Sequence, residues 1–146
     1  MRFSPLITLV LVTLTSWLFL CYAAPILPSA TDLLDSISPE SEAKFEIGDT
    51  AHAQVQVNDA ALRELNPLVK LTFQRAIPKP DVNEVIISLA LQELETDGVD
   101  FEILESYRGD PTRSNRYRVR YSFKDGNGAS HFADSAVFHL SPTQQT

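Results

Sequence analysis

The sequence predicts an all-β fold, an antiparallel β-sandwich. Three observations carry that prediction. Apolar residues recur at every second position in short runs, the signature of strands with one buried face. Turn-forming residues separate the runs, as in Asn66-Pro67, Asp97-Gly98 and Asp125-Gly126-Asn127-Gly128. Six or seven such runs fit between Phe45 and Ser141, the density of strands that a two-sheet domain needs.

The front of the chain predicts where the protein goes. Arg2 is the only charge before Asp32, Leu6 to Leu20 is almost wholly apolar, and small residues follow at Ala23 and Ala24. A basic start, an apolar run and a small-residue cleavage site define a secretory signal peptide. Cleavage is expected after Ala23. The expected organisation is a signal peptide over 1–23, a flexible acidic Pro/Ser leader over 24–44, a β-sandwich domain over 45–141 and a loose tail over 142–146. The chain is secreted in this reading, with no membrane attachment once the signal is removed. Its one cysteine, Cys21, leaves with the signal, so the mature chain has no disulfide and must hold itself together by burial. The formal net charge of −7 argues against nucleic acid as a partner, since phosphates repel an acidic surface. No Asn-x-Ser/Thr sequon occurs, so N-glycosylation is not expected.

The elements follow in order. Within the leader, Leu33, Leu34 and Ile37 have the spacing of one short helical turn. Ala51, Ala53, Val55 and Val57 alternate with His52, Gln54 and Gln56, which predicts a half-buried strand. Asn58 to Leu65 reads as a helical turn stopped by Pro67. Val69, Leu71 and Phe73 share the inward face of the next strand, and Ile77 to Pro80 is a stiff connector. The run 81–97 is ambiguous. Three β-branched residues, Val85 to Ile87, favour a strand with Val85, Ile87, Leu89 and Leu91 inward, joined by an Asp97-Gly98 hairpin to Val99, Phe101 and Ile103. The alternative is a helix over 81–97, opened by Asp81-x-x-Glu84 and closed by Gly98, which makes the fold α+β. Tyr117, Val119, Tyr121 and Phe123 then alternate with Arg116, Arg118 and Arg120. Asp125 to Gly128 turns the chain into a return strand over His131 to Leu140, with Phe132, Ala136, Phe138 and Leu140 inward and an irregularity at Asp134.

Two stretches carry a resemblance. IGDTAHAQVQV resembles the opening strand of immunoglobulin-like and fibronectin-III-like domains. NRYRVRYSFKDGNGASHFADSAVFHL is similar to their closing hairpin. The resemblance implies an immunoglobulin-like antiparallel sandwich over about Phe45 to Ser141 and brings no catalytic residues. The Cys…Trp…Cys pattern of antibody domains is missing, since Trp17 lies in the expected signal.

Candidate contact residues concentrate in one stretch. Arg108-Gly109-Asp110 is the tripeptide that integrins read, on a predicted loop flanked by Tyr107 and Arg113. Adhesion requires the guanidinium and the carboxylate to reach solvent in opposite directions. Arg116, Arg118 and Arg120 form a basic stripe on one strand face. It suits an extracellular protein or an anionic polysaccharide, or else it pairs with outward acids such as Asp100, Glu102, Glu93 or Glu95. Tyr107 beside the loop is a candidate for stacking on a sugar. No nucleophile, P-loop or dinucleotide motif occurs, so no catalytic residue and no cofactor is assigned. The histidines, His52, His131 and His139, have no metal-ligand spacing. The expected function is a secreted, non-catalytic binding or structural module. The alternatives are a hydrolase or lyase built from acids such as Glu102, Glu105, Asp110, Asp125 and Asp134, and adhesion through the Arg-Gly-Asp loop. The sequence does not specify an oligomeric state.

Overall fold

The computed structural model describes residues 33–76 and 81–142. The expected signal peptide, the Ile77–Pro80 connector and the last residues of the tail lie outside them.

Among the described residues, nine strands form two sheets. They are β1 (Leu34–Ser38), β2 (Lys44–Phe45), β3 (Thr50–Val57), β4 (Leu68–Arg75), β5 (Asn83–Ala90), β6 (Val99–Glu102), β7 (Arg116–Lys124), β8 (Ser130–Asp134) and β9 (Phe138–Leu140). Two short helices, α1 (Ala60–Leu65) and α2 (Leu91–Thr96), and a 3-10 turn over Glu105–Arg108 lie between strands. The small sheet has the order β1-β3-β6 and is antiparallel. In the large sheet β7 is central. One edge of β7 pairs with β4, which pairs in turn with β5. Its other edge takes β8 along Arg120–Lys124 and β9 at Arg116–Tyr117. This is the division of an immunoglobulin-like sandwich. The first, second and fifth main strands form one sheet, and the long next-to-last strand lies at the heart of the other. β2 adds a short parallel contact beside β9.

Alternation fills the space between the sheets. Ala51, Ala53, Val55 and Val57 from β3 face Val69, Leu71 and Phe73 from β4 and Tyr117, Val119, Tyr121 and Phe123 from β7, all buried. Phe73 sits among four rings: Phe101 of the small sheet at 6.5 Å, Tyr107 at 4.4 Å, Tyr117 at 5.4 Å and Phe138 at 5.6 Å. Burying one such side chain contributes about 1.5–3 kcal/mol. The Tyr121 hydroxyl crosses between sheets to donate to the Ser38 carbonyl at 2.9 Å. Burial pushes its pKa up to about 12, although a contact with Ser36 acts in the opposite direction.

Several expectations change. The flexible leader and its helical turn give way to structure from Leu33 on. β1 pairs with β3, Leu34 is buried, and β2 joins the large sheet. The domain therefore begins well before residue 45. Segment 81–97 is neither one strand nor one helix but β5 followed by α2. A bulge sets this division. Leu71 pairs with Ile87 and Thr72 with Val85, leaving Ile86 as the extra residue. Val85 thereby turns to the outer face, where it is 59% exposed, contrary to the inward position expected. α2 forms where Leu91 and Leu94 can both be buried at i, i+3 spacing. Its end groups are satisfied from a distance. Asn66 accepts from the Gln92 N–H at 2.8 Å, and Gln54 donates to the Glu95 carbonyl at 2.9 Å.

Asp97-Gly98 is thus a helix stop, not a hairpin. Gly98 has φ 67°, and its N–H donates to the Glu93 carbonyl. The chain then passes from the large sheet to the small one, so β6 pairs with β3 and not with β5. The expected strand over His131 to Leu140 is divided in two. Ser135 interrupts it, its hydroxyl accepting from the Val119 N–H at 2.9 Å and its own N–H donating to the Val119 carbonyl. The irregularity expected at Asp134 falls one residue later. Phe132, expected inward, is 52% exposed, and Ala133 takes the buried position.

Candidate functional site

The Arg-Gly-Asp loop is built around a side chain that the sequence reading passed over. Arg75 closes β4 with no exposed surface. A buried charge is tolerated only when its donors are matched. Its Nε donates to Asp81 Oδ1 at 2.5 Å, and Nη1 donates to the Ser114 carbonyl. Nη2 donates to the carbonyls of Arg108 at 2.7 Å and Asp110 at 2.9 Å. The guanidinium carbon lies 5.1 Å from the centre of the Tyr117 ring. The Tyr117 hydroxyl also donates to the Arg108 carbonyl, at 2.6 Å. A tyrosine near the start of this strand, bonded back to the preceding loop, is the tyrosine corner of immunoglobulin-like sandwiches.

Asp81 is the counter-charge. Desolvation pushes its carboxyl up, but the hydrogen bond from Arg75 and the backbone N–H groups of Asp110 and Asp81 outweigh it, so its pKa falls below the usual value. Arg113 approaches the same carboxylate at 3.4 Å.

Each candidate residue of the loop has a place in this clamp. Tyr107 is buried and stacks on Phe73, so it is not a sugar platform. Gly109 has φ 61°, and a Cβ there would meet Val82 Cγ2 at 2.4 Å and Arg75 Nη2 at 3.1 Å. The glycine lets the chain wrap the guanidinium. Asp110 folds its carboxylate onto Thr112, accepting from the backbone N–H at 2.9 Å and the hydroxyl at 2.7 Å. The Arg108 side chain is 15% exposed, with its guanidinium turned to the Ser141 carbonyl at 3.4 Å. Arg108 and Asp110 therefore do not present the two opposed solvent-reaching charges that adhesion requires.

The basic stripe lies on the outer face of the large sheet. Arg120 Nε and Nη2 donate to the two oxygens of Asp134 at 2.8 and 3.0 Å. Arg118 approaches Asp134 at 3.4 Å and Gln74 Oε1 at 3.4 Å. The acid that balances the stripe is therefore Asp134. The expected Asp100, Glu102, Glu93 and Glu95 lie elsewhere: Asp100 and Glu102 belong to β6, which is in the other sheet, and Glu93 and Glu95 belong to α2. Direct register explains the choice, since Arg120 pairs with Asp134 across β7 and β8. The Arg120 guanidinium lies 4.0 Å over the Phe132 ring. Arg116 is exposed at the far end of the same face. The cluster is thus an exposed aromatic ring, held by a guanidinium that a bidentate carboxylate fixes in turn. Sequence reasoning missed Phe132 because it assigned the ring to the core.

The remaining candidates disperse. Glu102, Glu105, Asp110, Asp125 and Asp134 fall on different strands, turns and loops. Each histidine has its own acid: His52 with Asp100 at 2.7 Å, His131 with Asp125 at 2.7 Å and His139 with Glu42 at 2.6 Å.

No protein-family model and no curated protein matches the chain. Among solved structures it is similar to the fibronectin(III)-like modules of CbhA from Clostridium thermocellum, at 14% identity and a TM-score of 0.41, over 74% of this chain and 94% of that chain.

Proposed function

We propose that the protein is a secreted, non-catalytic binding module whose contact surface is the outer face of β7 and β8. The observation that carries this reading is the Phe132–Arg120–Asp134 cluster. An apolar ring that is half exposed, yet fixed by a neighbouring ion pair, is prepared for contact at little entropic cost. Asp134 offsets one of the two charges of Arg118 and Arg120, so the stripe keeps net positive charge that extends to Arg116.

Arg116 and Phe132, which pairs with Ser122, lie six residues apart along β7, about 20 Å. A ligand that stacks on the ring and brings an anionic group to Arg116 must be an extended chain. The reading favours a polysaccharide carrying carboxylate or sulfate groups.

The test is retention on immobilised polygalacturonate, heparin and neutral dextran across a salt series. The expected result is retention on the two polyanions that weakens with salt, an affinity about tenfold lower for Phe132→Ala, and loss of binding for Arg116→Ala/Arg118→Ala/Arg120→Ala. Phe132 and Arg116 are exposed, so the Phe132→Ala and Arg116→Ala single variants separate binding from folding. Equal retention of wild type and the triple variant contradicts the proposal.

A further inference from the structure

At the opposite end of β7 from the Arg75 clamp, a cleft of about 550 Å³ opens between α1 and the Asp125–Asn127 turn. It is independent of the basic stripe. Its floor is apolar: Leu33, Ala61, Leu62 and the half-exposed Leu65. The volume is within the range that holds a small organic ligand. Its rim is acidic, with His131 as the one basic side chain among the lining residues. Asp59, Glu64 and Asp125 line it, and no lysine or arginine does among the described residues.

The three acids are held differently. Asp59 caps α1, accepting from the Leu62 N–H at 2.8 Å. Asp125 Oδ1 accepts from the N–H groups of Asn127 and Ala129, and Oδ2 meets His131 at 2.7 Å. These bonds fix two carboxylates at opposite sides of the floor. Glu64 carries no such bond among the described residues, so its charge is available to an occupant.

The face is polarised as well. His131 also lines a second cleft of about 400 Å³, whose walls carry Lys70 and Lys124 beside the exposed Leu68. The acidic side is therefore bordered by a basic one across a single imidazole, which stacks on Phe123 at 5.6 Å. An anionic ligand is favoured on the lysine side and repelled on the other.

We infer that the cleft beside α1 is a binding site for a small apolar amine, a hydrocarbon body of one or two rings carrying one ammonium group. The body replaces water on Leu33, Leu62 and Leu65. The ammonium lies at the rim among Asp59, Glu64 and Asp125, where charge complementarity selects the sign of the ligand. Glu64 is the residue whose charge is free to respond.

Amide chemical-shift titration of the full chain with naphthylmethylammonium, and separately with naphthoate, tests this. The two probes share an apolar body and differ in charge. The expected result is saturable shifts at Leu33, Leu62, Leu65 and Asn127, with the amine at least about tenfold tighter. Glu64→Lys, on an exposed helical position, should remove that preference without changing Tm. Ala61→Trp should fill the cleft and abolish both titrations. Equal affinity for the two probes, shifts that map elsewhere, or unchanged amine binding by Glu64→Lys each overturns the inference.

Discussion

Removing the Arg75 guanidinium takes a donor from one carboxylate and three loop carbonyls, of which the Arg108 carbonyl keeps the Tyr117 hydroxyl. Arg75→Ala should lower stability by about 3–5 kcal/mol, the cost of breaking a buried charge network, as read by urea denaturation. Arg75→Lys should recover only part of that loss, because an ammonium lacks the planar fork that reaches Asp81 and the loop together. Rapid amide exchange over 108–114 in either variant, with the strands unchanged, marks the clamp as a loop anchor. Acid should act on this network and on ion pairs and turns elsewhere in the fold. The carboxyls of Asp81, Glu95, Asp110 and Asp125 all titrate below their usual values. Desolvation opposes the lowering at each, and at Asp81 it is the largest single effect. Hydrogen bonds outweigh it, chiefly from Arg75, Arg63, Thr112 and His131 respectively. For a carboxyl lowered in the folded state, the stabilisation is present above the unfolded pKa, near 4, and is lost as pH falls through the folded value. Tm should therefore be flat on this account from pH 7 to about 5 and fall below about pH 4. Asp81→Asn should reduce the size of that fall. Arg75 was legible in part, because Val69, Leu71 and Phe73 continue at period two onto Arg75. An arginine at an inward position signals a buried network, but its partners lie 6 to 39 residues away and leave no local pattern.

At the scale of the element, β5 and α2 show where period alone fails. Alternation through Val85, Ile87, Leu89 and Leu91 describes one strand face, and the bulge at Ile86 divides that face between the two sides of the sheet. Val85→Asp should change stability by no more than about 0.5 kcal/mol, because its side chain is in solvent. Leu89→Asp should be strongly destabilising in the same denaturation experiment, because Leu89 pairs with Val69 and packs on the core. Comparable losses from both variants would restore the unbroken strand face. The helix beyond the bulge had no readable start, since Ala90 offers no side-chain cap and Asn66 supplies one from across the fold. β7 was legible throughout, because its four inward residues and three arginines keep strict alternation beside an Asp-Gly turn. Phe132 was misplaced because the interruption at Ser135 shifts the parity of everything before it.

For the whole molecule, two sheets with the strand order of an immunoglobulin-like sandwich enclose one core, and no cysteine occurs among the described residues. The cohesion comes from packing around Phe73, from Tyr121 linking the sheets, and from the Arg75 clamp at one end. The architecture follows from alternation and turns. The contact surface was only half visible, because the arginines announce themselves in the sequence while the carboxylate and ring that organise them depend on β7–β8 register. The central claim is that the outer face of β7 and β8 meets the ligand while the Arg-Gly-Asp loop serves the fold. Amide exchange of the intact protein, with and without polygalacturonate at low salt, tests it most directly. The account predicts protection at 116–122 and 131–134 with no change at 108–114. Protection confined to 108–114 would contradict it.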